Sequence, residues 1–347
     1  MLFDSRLAVA AACVLACVSI GGLVPLARAD EGAGEGKKIR AGMVGLDTSH
    51  CVAFTKLFND PRATGDLGAV DVVAAYPGGS DDIPASRDRV AGFTKAMRES
   101  GVEIVDSIDA LLAKCDVVLL ESVDGRPHLE QARPVIAAGK PLFIDKPLAG
   151  SLADAIAIFR LAEKHKVPVF SSSSLRFGAG LAELKGDAKV GEVLGCAVHS
   201  PCELESHHPD LFWYGVHGVE MLYTIMGEGC ETVVRTHTDG TDVVTGTWRG
   251  GRVATYRGIR GGKADYGGAV YGTRGIAAIG KYEGYAPLVA EIAKFFRTHQ
   301  PPVAASETIE LFAFMEAADE SKRQGGKPVA IAEVIARAEK EAAAREE

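Results

Sequence analysis

The sequence lacks several features that would place it quickly. Basic residues form no cluster beyond short runs such as Lys37-Lys38, and the net charge over 347 residues is −8. That balance argues against nucleic acid and anionic membrane surfaces as partners. Cysteine is sparse and scattered, with seven residues and no C-x-x-C pair. Two of them, Cys13 and Cys17, lie in an N-terminal apolar run. The other five (Cys51, Cys115, Cys196, Cys202 and Cys230) are an odd set that makes no disulfide framework, and buried free thiols are the simpler expectation. There is no internal repeat or low-complexity tract, and no nucleophile elbow surrounds the serine run Ser171–Ser174. What remains is the composition of an ordinary globular chain, 47% hydrophobic and 24% charged, long enough for two domains.

The N-terminus departs from that composition. Leu7 to Leu26 is an apolar run of 20 residues preceded by Arg6, and Ala27-Arg28-Ala29 before Asp30 reads as an A-x-A cleavage site. Residues 1–29 are therefore expected to be a signal peptide, with Gly21, Gly22 and Pro25 breaking the run ahead of the cleavage site. Uncleaved, the run is long enough to anchor the chain in a bilayer. One arginine instead of a twin pair favours Sec-type export of the unfolded chain, to the periplasm or the medium. Cys17 follows Val14-Leu15-Ala16 in the manner of a lipobox, but apolar sequence continues for nine residues beyond it, which argues against lipidation.

Residues 30–38, rich in Gly, Glu and Lys, read as a linker. From Ile39, short apolar strands are expected at 39–44, 70–75, 103–105, 117–121, 141–144 and 167–170. Helical patterns at 49–58, 85–100, 107–113, 128–138 and 151–165 separate them. This alternation predicts an α/β fold, a doubly wound parallel sheet over 39–172 with ligands at the carboxyl ends of its strands. Beyond about Arg176 the strands at 192–204, 231–238, 242–248, 252–260 and 264–271 follow one another across Gly-rich turns, which predicts an antiparallel sheet. Helices at 210–226, 286–298 and 306–324 make this second region, 173–330, an α+β domain, and a last helix at 331–344 packs back on the body.

The chemistry concentrates at two turns. Lys38–His50, KIRAGMVGLDTSH, is a strand, a turn at Gly45 and a helix start at Thr48 or Ser49. It has the layout of the dinucleotide fingerprint G-x-G-x-x-G, but Asp47 and His50 stand where the second and third glycines belong. An Asp47 carboxylate there is expected to cap the helix, and so to repel a pyrophosphate from donors that otherwise attract an anion. At Pro141–Pro147, PLFIDKP, a strand ends in Asp145 and Lys146 at the mouth of the sheet. Partial burial would lower the lysine's pKa and suit it to take a proton from a substrate hydroxyl. The plain alternative is a surface lysine paired with Asp145.

Other motifs follow these in order: GRPH at 125–128, AAGKPLFIDKPLA at 137–149, LRF at 175–177, VGEVLG at 190–195, GVHGVE at 215–220 and RQGGKPV at 323–329. Their order and spacing resemble the Gfo/Idh/MocA family, the glucose–fructose oxidoreductases and inositol dehydrogenases, over roughly residues 39–330. The resemblance implies a Rossmann domain followed by an open-faced antiparallel sheet that covers the substrate. It implies oxidation or reduction of sugars, polyols and related molecules with NAD or NADP, and association into homo-oligomers through the open sheet. Asp145-Lys146-Pro147 matches the family's E-K-P, so Lys146 inherits its catalytic lysine, and His217 in GVHGVE matches its catalytic histidine. Cofactor contacts fall on Gly45, Asp47, Thr48, Ser49, His50, Asp145 and Lys146, with Arg176 closing over cofactor or substrate.

The chain also departs from that pattern. Trp213 replaces the acid expected four residues before His217, leaving Glu220 as a substitute carboxylate one helical turn on. The end of the second strand, Ala74–Gly79, carries no acid for the adenosine ribose; Asp81 or Asp82 would have to reach it, or Gly78–Ser80 accept a 2′-phosphate. Export in an unfolded state also separates the protein from its cytoplasmic cofactor. A non-redox descendant, a sugar-binding protein or lyase, is therefore an alternative. So is a metal-dependent enzyme using His207, His208, Asp210 and His217, although adjacent histidines point apart and no helical i, i+4 pair is present. Trp213 and Tyr214 equally suggest a wall for stacking sugar rings.

Overall fold

A computed structural model describes residues 37–178 and 180–345. The expected signal peptide, and the linker up to residue 36, lie outside the described residues. Among the described residues no helix is long and apolar enough to cross a membrane.

The first half alternates as its pattern requires: β1 (Ile39–Val44), α1 (Ser49–Phe58), α2 (Gly65–Gly68), β2 (Val70–Tyr76), α3 (Pro84–Glu99) and β3 (Glu103–Ile104). It continues with α4 (Ile108–Leu112), β4 (Val117–Leu120), α5 (His128–Ala137), β5 (Leu142–Asp145), α6 (Leu152–His165) and β6 (Val169–Ser172). The six strands lie in the order β3-β2-β1-β4-β5-β6, each pairing parallel. The direction of winding reverses between β1 and β4, which opens a crevice at their carboxyl ends. Successive strand residues feed two different cores. Ala41, Met43, Val117 and Leu119 pack with Phe54 and Phe58 of α1, whereas Val44, Val118 and Leu120 pack toward α5 and α6. Both faces are covered, so these strands are apolar throughout instead of alternating.

The second half contains β7 (Val193–Pro201), α7 (Asp210–Trp213), α8 (Val216–Met226), β8 (Cys230–Thr238), β9 (Thr241–Trp248), β10 (Arg252–Ile259), β11 (Gly267–Gly272) and β12 (Ile276–Ala278). It ends with α9 (Ala286–Thr298), α10 (Ala305–Arg323), β13 (Val329–Ala330) and α11 (Ile331–Ala343). The seven strands run β12-β11-β7-β10-β9-β8-β13. This sheet is not wholly antiparallel, because β7 and β10 pair in parallel. The cause is connectivity: α8 carries the chain from β7 across the sheet, the β8–β9–β10 meander returns, and β10 arrives beside β7 in the same direction.

The single helix expected over 210–226 is two. Tyr214 leaves helical geometry (φ −129°, ψ −30°), and a Cβ at Gly215 would stand 2.9 Å from Leu211 O, so the chain bends tightly there. Val198, Val244, Trp248 and Tyr256 on the inner face of this sheet pack under α8 and α10, in a cluster continuous with the α5–α6 core. Helix α9 returns to the first sheet, where Leu288, Ile292, Phe295 and Phe296 pack with α1. Burying each of these large side chains contributes about 1.5–3 kcal/mol. The final helix α11 buries Ile331, Val334, Ala338 and Ala342, and lies on α6.

Candidate functional site

The chain leaves β1 through Gly45, whose φ of +92° few side chains tolerate. A Cβ there would also stand 2.4 Å from Ser122 N at the exit of β4, so glycine is required for the close approach. Asp47 does not cap the helix as expected. Its carboxylate is buried and accepts from Ser86 Oγ (2.6 Å) and Val123 N–H (2.9 Å), tying the turn to α3 and to the end of β4. Burial outweighs those bonds and lifts the Asp47 pKa above its ordinary value. Thr48 is the N-cap, with Oγ1 accepting from His50 N–H at 3.4 Å. No acid stands in the first turn of α1, so its donors keep their attraction for an anion.

Thr48, Ser49 and His50 line one side of a cavity of about 480 Å³. Lys146, just past β5, and His217, in α8, line it as well, so the two residues expected to handle a proton share one space. Trp213, Tyr214, Tyr266, Tyr282 and Tyr285 form an aromatic wall, and Arg89 of α3 reaches the same space. A larger depression of about 820 Å³ lies between α6 and Pro301–Ala305, but it contains none of these groups.

Glu220, the carboxylate expected to partner His217, does not bond it. His217 Nδ1 shares a 2.6 Å hydrogen bond with Ser173 Oγ, which leaves Nε2 as its free nitrogen. Burial, reinforced by the neighbouring Lys146 charge, pushes the His217 pKa well below its ordinary value. Glu220 sits one step behind, accepting from Ser173 N–H (3.3 Å) and from Arg176 Nε (2.6 Å). Arg176 is thereby withdrawn from the expected role over cofactor or substrate. It is buried between Glu220 and Glu307 and does not line the cavity.

His50 Nδ1 bonds Asp145 Oδ2 at 2.6 Å, and its ring stacks on Phe54 and meets Tyr285 edge-on. Burial opposes ionisation of Asp145, but His50 and Lys146 together hold its pKa below the ordinary carboxylate value. Glu121, the residue after β4, is fully buried beside them, and neither of its oxygens has a partner. Burial and the Asp145 charge raise its pKa well above the ordinary range.

Beyond β2 the polar groups are already engaged. Ser80 Oγ donates to Asp124 (2.6 Å), and Asp82 takes two bonds from Arg126 (2.7 and 2.8 Å). His128 bridges the Ser122 and Leu148 carbonyls and is structural. The histidine cluster proposed for a metal is dispersed among ion pairs. His208 sits between Glu205 (2.7 Å) and Asp124 (3.0 Å), His207 rests on Glu205, and Asp210 pairs with Arg235 and Lys322. Of that cluster only His217 lines the cavity.

Sequence reasoning missed Arg89, Ser173, Glu121 and the tyrosines Tyr266, Tyr282 and Tyr285. Ser174 of the serine run lines the cavity, but nothing in the sequence marks Ser173 as the partner of His217.

A family model described as "Oxidoreductase family, NAD-binding Rossmann fold" matches residues 79–173, from the β2–α3 connection to the end of β6. Over that segment the chain is similar to the Gfo/Idh/MocA family. Among curated relatives, the myo-inositol dehydrogenase Hyg17 of Streptomyces leeuwenhoekii is 29% identical over 114 residues, 33% of either chain. The chain is thus matched over about a third of that relative's length. Similarity of fold alone extends much further. The scyllo-inositol dehydrogenase of Lactobacillus casei, solved with NAD(H) and scyllo-inositol, superposes with a TM-score of 0.70 at 15% identity, covering 85% of this chain and 100% of that one. GenD2 from gentamicin A biosynthesis, solved with NAD, gives a TM-score of 0.69 at 17% identity over 89% of this chain and 99% of that one.

Proposed function

We propose that this protein is an NAD(P)-dependent oxidoreductase acting on a sugar, a polyol or a related carbohydrate. The observation that carries the reading is the convergence of Lys146, His217 and the capped start of α1 on one cavity at the carboxyl ends of the parallel strands. The residues fit a dinucleotide at its phosphate and nicotinamide end. Asp47 is turned away beneath the turn, the first turn of α1 carries no acid, and Arg89 adds a cation beside Thr48 and Ser49. At the adenosine end the family model and the NAD-bound relatives support the assignment, while Ser80 and Asp82 are committed to Asp124 and Arg126. Recognition there falls to the backbone of Pro77–Gly79.

The dinucleotide, when bound, accepts or returns the hydride. The protein's own groups do the rest. Lys146 holds the reacting hydroxyl by its ammonium group, and His217 exchanges the proton through Nε2 while Ser173 fixes its ring. The tyrosines and Trp213 exclude water and present faces to the C–H surfaces of a ring substrate. The apolar run before Asp30 supports export of the chain, and the exposed Leu194, Val253, Tyr271 and Ile276 on the second sheet support self-association there.

Native mass spectrometry of the purified protein with NAD(H) and with NADP(H) tests the reading. One dinucleotide per chain is expected, and no binding at millimolar cofactor would overturn it. With inositols and hexoses as probes, Lys146→Ala and His217→Ala should each lower turnover by about 10²–10⁴-fold without loss of folding. Unchanged turnover in both variants would show that the proton moves elsewhere.

A further inference from the structure

We propose that His50, Glu121 and Asp145 bind one divalent transition-metal ion of the zinc type, at the edge of the cavity that His50 lines. They come from three neighbouring exits of the parallel sheet: the start of α1, the residue after β4 and the last residue of β5. His50 Nδ1 and one oxygen from each carboxylate lie within 4.8 Å of one another, and all three residues are buried.

The second observation is the unmet bonding capacity at this point. Both Glu121 oxygens and Asp145 Oδ1 are buried without a hydrogen-bond partner. An unsatisfied buried polar group costs about 1–3 kcal/mol, and more if charged. Two carboxyls this close raise the cost further unless a cation lies between them. Lys146 does not serve, since it bonds none of these oxygens and lines the cavity instead. A metal ion would take one oxygen from each carboxylate and leave the second Glu121 oxygen beside the same cation.

The donor set specifies the class of ion. Imidazole with two carboxylates suits zinc, cobalt, manganese or ferrous iron better than calcium or magnesium, which favour all-oxygen sites. Ligands about 2.0–2.2 Å from zinc lie roughly 3.4 Å apart, so ligand atoms now within 4.8 Å of one another need to close by at most about 1.4 Å, while the His50–Asp145 pair opens from 2.6 Å. Cys51 does not join them. Burial and the Glu121 charge push its thiol up to about 12, and its Sγ donates to Thr48 O at 2.8 Å. Three protein ligands leave a tetrahedral ion one position for water or another oxygen. Loading would replace the His50–Asp145 hydrogen bond with two coordinate bonds and release the proton held in it. The ion would then lock the Gly45 turn to β4 and β5 independently of any cofactor.

The test uses untagged, chelator-treated protein titrated with Zn²⁺ and Co²⁺ by calorimetry and visible absorption. The expected result is one ion per chain, a visible Co²⁺ absorption band and a raised melting temperature. Glu121→Gln and His50→Ala should each weaken binding by about tenfold or more, since even loss of an outer-shell partner costs that much. Glu205→Gln, at the exposed His207 group, should leave binding unchanged. The proposal is overturned if the folded wild-type protein binds no ion, or if binding survives in both Glu121→Gln and His50→Ala. It is equally overturned if binding is lost in Glu205→Gln. Should Glu121→Gln not fold, His50→Ala and the Co²⁺ spectrum decide the matter.

Discussion

His217 shows how much of this site is set by where one ring is placed. Burial and the Lys146 charge both oppose its protonation, so it stays neutral well below the ordinary histidine value. Under the proposed function a neutral imidazole would accept the hydroxyl proton during oxidation, and activity would be lost only as pH falls through the depressed pKa. We expect kcat/KM for alcohol oxidation to stay level through about 6.5, the unperturbed value, and to fall only at clearly lower pH. An acid limb centred at or above that value would contradict the assignment. That Lys146 and His217 would line one cavity was legible in the sequence because each lies in a recognisable motif. The placing of Asp47 and Glu121 was not. Asp47 stands next to a helix start, yet its partners, Ser86 and Val123, lie 39 and 76 positions away, and only the folded turn shows which way its carboxylate points. Glu121 ends an apolar strand run and reads there as the residue that meets water, whereas α1 and β5 enclose it.

Among elements, the second sheet is joined to its helices through one buried arginine. Arg235 of β8 bonds Asp242 of β9 and Asp210 of α7 at 2.7 Å each, and also Asp319 of α10. Replacing it with methionine leaves three carboxylates without their common cation. The expected cost is about 3–5 kcal/mol, measured as a lowered denaturant midpoint. Arg235→Lys should recover little of it, because an ammonium cannot reproduce the planar fork. An unchanged midpoint in the methionine variant would show the cluster to be energetically idle. Long elements with clear periodicity, such as α6, α9 and α11, were readable from the chain. The helix α2 and the strands β12 and β13 have two to four residues each, too few to carry a period. The parallel pairing of β7 with β10 depends on the path taken by α8 and the β8–β9–β10 meander, which no local pattern encodes.

At the scale of the whole molecule, the core under the second sheet runs without a break into the α5–α6 side of the first. The return of α9 to the other face of that first sheet ties the two halves again. Two sheets sharing a core in this way should unfold together. Calorimetric and van't Hoff enthalpies of thermal unfolding are expected to agree, and two resolved transitions would refute the coupling. The same architecture separates the chain's two tryptophans. Trp248 is fully enclosed beneath the second sheet, whereas Trp213 lines the cavity with the His208 ring 4.9 Å away. One indole therefore senses what enters the cavity, and the other senses only whether the core is intact. The protein carries an optical reporter and its own internal reference, so ligand arrival can be followed by emission without an added label.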